Sequence, residues 1–289
     1  MACGIVVVDK PAGWTSQDVA AKLRGVFHER RVGHGGTLDP MATGVLPVFV
    51  GRATRAAEYF EAAEKEYVAG LRLGVVTNTQ DVTGEISATR PADVDRPRLE
   101  AALLRFTGPQ MQVPPMYSAV KIGGQRLYQL ARAGREVARP PRPIVIHRLE
   151  LMDRDAAGDW LLRVRCSKGT YIRTLCHDIG QALGCGGCMA SLRRTAAGRF
   201  GIGESVPMPV LASDAVPERF LLPVDTLFAE LPACTLSEAQ RRTCLNGAPV
   251  PARGTPLGRC RVYGPDGAFL MVGDWQGNRI LTEKNFFEV

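Results

Sequence analysis

The sequence has no uninterrupted run of about 18 apolar residues, so no segment reads as a helix that crosses a bilayer. Its first residues, Met1-Ala2-Cys3-Gly4-Ile5, lack the basic flank and long apolar stretch of an export signal, and a cytosolic (cytoplasmic) protein is the expectation. It also lacks Gly-x-x-x-x-Gly-Lys-Ser/Thr, the loop that cradles nucleoside triphosphates, which removes one large class of phosphate chemistry. Eight cysteines are diluted through 289 residues without an export signal, which argues for reduced thiols over a disulfide framework. Cys185-Gly186-Gly187-Cys188 has the spacing of a zinc or redox pair. No second pair follows at regular spacing, because Cys176-His177 forms no such repeat, so no metal is expected.

What is present is ordinary globular material, 45% hydrophobic and 22% charged, with length for about two domains. The net charge of +7 is unevenly placed: residues 118–173 hold 12 Lys and Arg against 5 Asp and Glu, so this segment carries the whole excess. Such a field suits a phosphate backbone as partner, and it equally describes a solvated basic face.

Gly4–Lys10 reads as a buried strand stopped by Pro11 and Gly13, with Lys10 at its end, and a helix is expected over 17–26 behind a Thr15 or Ser16 cap. A strand follows at 45–50, an alanine-rich helix at 53–63, and an alternating strand at 65–74 that points Tyr67 inward with Ala69, Leu71 and Leu73. Residues 77–84 are turn-forming. A helix at 97–106 begins at Asp95 and stops at Gly108-Pro109. The proline-bounded stretch about 114–143 reads as an inserted loop or hairpin with a short basic helix at 125–133. Strands are expected at 144–152 and 160–166, a helix at about 171–183, and a bent strand over 191–202. Prolines thicken from Pro207 to Pro232, which marks a boundary between residues 1–231 and a small β-rich unit at 232–289.

Arg173 stands in the first turn of the 171–183 helix, where a cation opposes the positive end of the dipole at a cost of a few tenths of a kcal/mol unless an anion faces it. A carboxylate nearby is the implication. One aspartate stands in a privileged place: His34-Gly35-Gly36-Thr37-Leu38-Asp39-Pro40-Met41-Ala42-Thr43-Gly44 sets Asp39 between a glycine-rich approach and a proline that biases it away from helix. An Asx turn is the plain alternative for that aspartate.

Together with Asp9-Lys10-Pro11-Ala12-Gly13-Trp14-Thr15-Ser16, that stretch closely resembles the signature of the TruB family, the bacterial tRNA pseudouridine-55 synthases. The resemblance runs in ordered blocks over roughly residues 4–202. It implies an isomerase acting on the T-loop uridine of tRNA, without metal or organic cofactor, as a monomer. It also implies an α/β (α+β) pseudouridine-synthase domain with a mixed, largely antiparallel sheet, followed by a PUA-like β-rich domain whose motifs are much weaker. By matching position, Asp39 corresponds to the catalytic aspartate, Tyr67 to the tyrosine that stacks on the flipped uracil, and Arg173 to the arginine that pairs with the carboxylate. Tyr171 and Leu192 line the uracil pocket, His34 fills the space the base vacates, and Lys10 belongs with the substrate-binding residues. Lys121, Arg126 and Arg132 on a thumb-like insertion meet phosphates, fixing position without reading sequence. Taken singly, Leu192 reads as core, His34 as a turn residue and Tyr171 as packing. A glycosidase needs two carboxylates, whereas an isomerase that keeps its base needs one, as nucleophile at C1′ or base at C2′. The reading from a different class is an RNA-binding or tRNA-folding protein that uses the same cleft without turnover.

Overall fold

A computed structural model describes residues 2–287. Strand β1 (Gly4–Lys10) alternates between two buried faces, with Val6 and Val8 on one and Ile5 and Val7 on the other. Helix α1 (Ser16–Val26) begins at a reciprocal cap: the Thr15 hydroxyl accepts from the Asp18 amide, and the Asp18 carboxylate accepts from the Thr15 amide. Strands β2 (Val32–His34) and β3 (Thr43–Val50) flank the aspartate loop. The alanine-rich stretch after them is not the single helix expected over 53–63. It is a 3-10 segment (Gly51–Ala56) followed by the short helix α2 (Ala57–Glu61). Three-residue winding aligns Ala53 with Ala56, and both are fully buried, so small side chains let the backbone lie close to its neighbours.

Strand β4 (Lys65–Leu73) buries Tyr67, Ala69 and Leu71 as the alternation requires, while Leu73 is only half-buried. A small hairpin, β5 (Val75–Thr77) with β6 (Ile86–Thr89), precedes helix α3 (Arg96–Leu103), which Asp95 caps. Gly108-Pro109 does not end the structure there but opens strand β7 (Gly108–Gln112). Pro109 is tolerated because β7 is an edge strand, with one side where no amide hydrogen is required. Residues 113–141 then leave the sheet. They carry a two-stranded ribbon, β8 (Lys121–Ile122) with β9 (Gln125–Arg126), and helix α4 (Leu127–Arg132), so 125–126 are strand where helix was expected.

The chain returns as β10 (Arg142–Arg154), two residues longer at each end than expected, and continues through β11 (Trp160–Cys166), helix α5 (Ile172–Ala182) and β12 (Gly187–Ala197). The expected bend in the last of these is a pair of bulges, at 189–191 and 194–196. Short strands β13 (Phe200–Gly201) and β14 (Val206–Pro207) and helix α6 (Met208–Ser213) follow. The resulting ten-stranded sheet runs β14-β1-β3-β12-β4-β11-β10-β7, with β2 added on β3 and β13 on β12. Only the β1–β14 and β3–β12 pairs are parallel, so the sheet is mixed and largely antiparallel.

A second, five-stranded sheet is formed by β15 (Ala233–Thr235), β16 (Val250–Pro251), β17 (Gly258–Tyr263), β18 (Phe269–Gln276) and β19 (Arg279–Asn285), with helix α7 (Glu238–Leu245) beside it. One face of the large sheet packs on α1, α3 and α5 through Leu23, Leu99, Leu175 and Ile179. Part of the opposite face, with Phe49, Phe60 and Phe200, belongs to one core cluster with Phe228, Val272 and Phe286, and Tyr59 meets the Phe228 ring edge-on, so the second sheet shares a core with the first. The Tyr263 hydroxyl donates to Asp225 at 2.6 Å and Arg261 Nε to the Leu231 carbonyl at 3.1 Å, fastening the junction.

Candidate active site

The Asp39 loop is held from three sides. Gly35 donates to the Pro47 carbonyl at 2.8 Å, and an added Cβ there would lie 2.6 Å from the Phe60 ring, so this glycine is required by packing. Gly44 has φ +99°, and a Cβ on it would meet the Arg194 carbonyl at 2.2 Å. Between them, the buried Ser16 hydroxyl accepts from the Leu38 amide at 2.8 Å, and the Gly13 amide donates to the Pro40 carbonyl at 2.8 Å. The first motif therefore clamps the second. Lys10 completes the clamp: it is fully buried, and its ammonium donates to the carbonyls of Pro11 (2.8 Å), Trp14 (2.5 Å) and Pro40 (3.2 Å). This differs from the expected substrate contact, because the ammonium is enclosed by backbone oxygens and holds the loop from behind. Burial lowers its pKa to about 8, with Asp39 acting in the opposite direction.

Asp39 keeps one third of its side chain exposed and is met by the buried Arg173 of α5 in a two-point pair. Nε lies 2.9 Å from Oδ2 and NH2 3.2 Å from Oδ1. The same guanidinium donates to the Tyr117 carbonyl at 2.8 Å and the Thr79 carbonyl at 3.3 Å, and its NH1 lies 3.7 Å from the Asp81 carboxylate. The anion implied by a cation in the first turn of α5 is thus Asp39, with Asp81 behind it. Burial pushes the Asp39 carboxyl above its ordinary range; Arg173 pulls it down and Asp81 pushes it up.

Tyr67, in β4, lies opposite Arg194 of β12, and Leu192 lies opposite Ala69, so register puts Tyr67, Arg194 and Leu192 on one face. Tyr67 and Leu192 are buried, each 8% exposed. Burial raises the Tyr67 phenol, and the Arg194 guanidinium works against that rise. Arg194 is the largest fully buried side chain, donating to the Val45 carbonyl at 2.6 Å and the Gly36 carbonyl at 3.3 Å. His34, at the end of β2, has a buried Nδ1 without a partner, and burial followed by Arg194 lowers its pKa. Tyr171 is half-buried at the start of α5, beside the pair.

Lys121, Arg126 and Arg132 are exposed on the 113–141 excursion. Arg126 and Arg132 lie over the Tyr128 ring, 5.9 and 5.6 Å from its centroid. The site residues that sequence reasoning missed are Asp81, Arg194 and Gln112. Arg194 carried a signal, since it stands two residues from Leu192 in a strand and so shares its buried face. Asp81 carried none beyond its loop, because its partner is distant in sequence. Cys185 and Cys188 are both buried, and among the described residues no cluster of three metal-ligating side chains occurs.

Residues 24–172 match the family described as TruB family pseudouridylate synthase (N terminal domain), and residues 173–229 match the tRNA pseudouridylate synthase B C-terminal domain. The chain is 45% identical over 280 residues to a tRNA pseudouridine synthase B of Pseudomonas syringae pv. syringae (strain B728a), covering 94% of this chain and 91% of that protein. It is 43% identical over 284 residues to the protein of the same name from Aromatoleum aromaticum, covering 97% and 91%. Among solved structures, a chain of a Cbf5-Nop10-Gar1 complex superposes with a TM-score of 0.73 at 26% identity, covering 98% of this chain and 85% of that one.

Proposed function

This chain belongs to the TruB family of pseudouridylate synthases, and from that premise we propose that it converts the T-loop uridine of tRNA, position 55, to pseudouridine. The observation that carries the reading is the two-point Asp39–Arg173 pair, a carboxylate withdrawn from bulk water yet open on one side. The reaction breaks the bond from C1′ to N1, turns the base and joins C1′ to C5; N1 gains a proton and C5 loses one, so no water or electrons are consumed. One carboxylate suffices, as nucleophile at C1′ or base at C2′. Arg173 favours its ionised form and aims it, since a guanidinium fork fixes both oxygens. Tyr67 stands ready to stack on the extruded base, an extrusion that costs a few kcal/mol and calls for a replacement stacking partner. Tyr171 and Leu192 wall the pocket, His34 occupies the place the base leaves, and Lys121, Arg126 and Arg132 meet phosphates from the thumb. The protein is taken to act as a monomer, and the chemistry as written asks for no metal or organic cofactor. No described helix is long and apolar enough to cross a membrane, which is compatible with action in the cytoplasm. Residues 1–231 act as the catalytic unit and 232–289 as a PUA-like unit that lengthens the RNA surface.

The test uses a T stem-loop RNA tritiated at C5 of uridine. The wild type releases tritium, and Asp39→Asn binds the same RNA within about tenfold but releases none, because phosphate contacts dominate affinity and the amide is no nucleophile. Wild type that binds without release would favour the RNA-folding alternative. An active Asn variant would remove Asp39 from the chemistry.

A further inference from the structure

Gln112 is the last residue of β7, the point at which residues 113–141 leave the sheet, and it is only 5% exposed. Its side-chain amide is engaged at both ends by one residue. The carbonyl oxygen accepts from the Tyr171 amide at 2.8 Å, and the nitrogen donates to the Tyr171 carbonyl at 3.0 Å. Tyr171 precedes α5 and gives that helix no side-chain cap, so the direction in which α5 enters is set by how the Tyr171 backbone is held. Two residues on is Arg173, whose guanidinium reaches Asp39 and also the Tyr117 carbonyl of the excursion. The body of α5 is secured separately, by Ile172, Leu175, Cys176 and Ile179 in the core. Gln112 is therefore not needed for the helix to exist. What it fixes is the register of the first turn against the root of the excursion.

We propose that Gln112 is a positioning residue for the reaction, setting the Arg173–Asp39 pair by clasping the Tyr171 backbone at the root of the thumb. The proposal rests on the functional reading above. An error of about 1 Å in such a pair costs on the order of a hundredfold in rate, whereas the RNA surface lies on exposed side chains that the clasp does not touch. Met matches glutamine in length and carries no hydrogen-bonding group, so Gln112→Met isolates the clasp and leaves the volume. Glu supplies the acceptor at all pH values but the donor only when protonated. Burial raises that carboxyl, and Arg142, its cross-strand partner on β10, works against the rise, so the donor returns as pH falls.

The experiment measures single-turnover tritium release and RNA affinity for the wild type, Asp39→Asn, Gln112→Met and Gln112→Glu. Gln112→Met is expected to release tritium roughly 10- to 100-fold more slowly with RNA affinity within about threefold. For Gln112→Glu, the rate divided by that of the wild type at the same pH is expected to rise as pH falls from 8 to 5.5. Dividing by the wild type removes the titration of Asp39 itself. A Gln112→Met rate within twofold of wild type overturns the proposal, and so does a Gln112→Glu ratio that is flat across pH. Should the Met variant not fold, the Glu ratio alone decides. Failure of the wild type to release tritium sinks the functional reading, a result separate from either of these.

Discussion

The Asp39 loop and the 113–141 excursion are built on opposite plans. Residues 34–44 are tied down by backbone amides, a buried serine, a buried lysine and two glycines that admit no Cβ. The excursion has a two-stranded ribbon and a six-residue helix, buries Leu127 and Leu130, and leaves Lys121, Arg126, Arg132 and Arg135 in water. Chemistry needs a carboxylate fixed to within fractions of an ångström, and capture of a polyanion needs charge in number with little demand on geometry. The two regions meet at the Arg173 guanidinium, which holds Asp39 with two nitrogens and the Tyr117 carbonyl with one of them.

The strongest way to break this contrast is at Arg173. Arg173→Met leaves Asp39 withdrawn from water with no guanidinium, so its pKa rises further and the carboxyl loses its aim. Tritium release in single turnover should fall by about 10³ while affinity for the stem-loop changes by less than about tenfold. Comparable losses in both would merge the two regions. The converse change is Arg126→Glu with Arg132→Glu. Binding should weaken more than tenfold, and the plot of log affinity against log salt should flatten by about 2, with the rate at saturating RNA nearly kept. An unchanged slope would move the phosphate surface elsewhere.

A smaller effect sharpens the description of Asp39. Burial raises its folded pKa, so the carboxyl contributes stability that is present at acid pH and lost as pH rises through that folded value. Asn cannot ionise and escapes the loss. Asp39→Asn should melt about 2 °C above the wild type near pH 8, the gap closing toward pH 4, as scanning calorimetry would show; a gap that widens on acidification would reverse the sign assigned here. Tritium release by the wild type should fail on the acid side at a pH above that of a free aspartate. The smallest expected effect concerns thiols. All eight cysteines are free and Cys3 alone is exposed among the described residues, so native protein should present one fast-reacting thiol, denatured unreduced protein eight, and blocking the fast one should leave the rate unchanged.

Much of this was legible because local chemistry and tertiary demand agreed. Strand β11 was bounded correctly at both ends, since Trp160–Cys166 alternates cleanly between turns. The mixed sheet and the Arg173–Asp39 pair followed from the family resemblance, and the helix dipole asked for an anion at the same place. Readings failed where neighbours overrode propensity. Alanines at 53 and 56 form a 3-10 turn because a close approach is required, and Pro109 sits in a strand because that strand is an edge. Lys10 was placed with the substrate-binding residues because its sequence neighbours do not reveal that Pro40 folds back on its ammonium. Asp81 and Gln112 were invisible for the same reason: each acts on a residue at the entry to α5, Arg173 or Tyr171, far along the chain.

The shared core beneath the large sheet also sets a timetable for synthesis. It contains Ile5 and Val7 from the first strand and Val272 and Phe286 from near the end of the chain. A ribosome adds roughly 5–20 residues per second, so this face of β1 waits some tens of seconds for its last partners. During that interval Phe228 lacks the rings of Phe269 and Phe286 that cover it. A stop codon near residue 231 would make that interval permanent, leaving an apolar face that sticks to its own kind, and the damage would be to the nascent enzyme's survival before any RNA arrived.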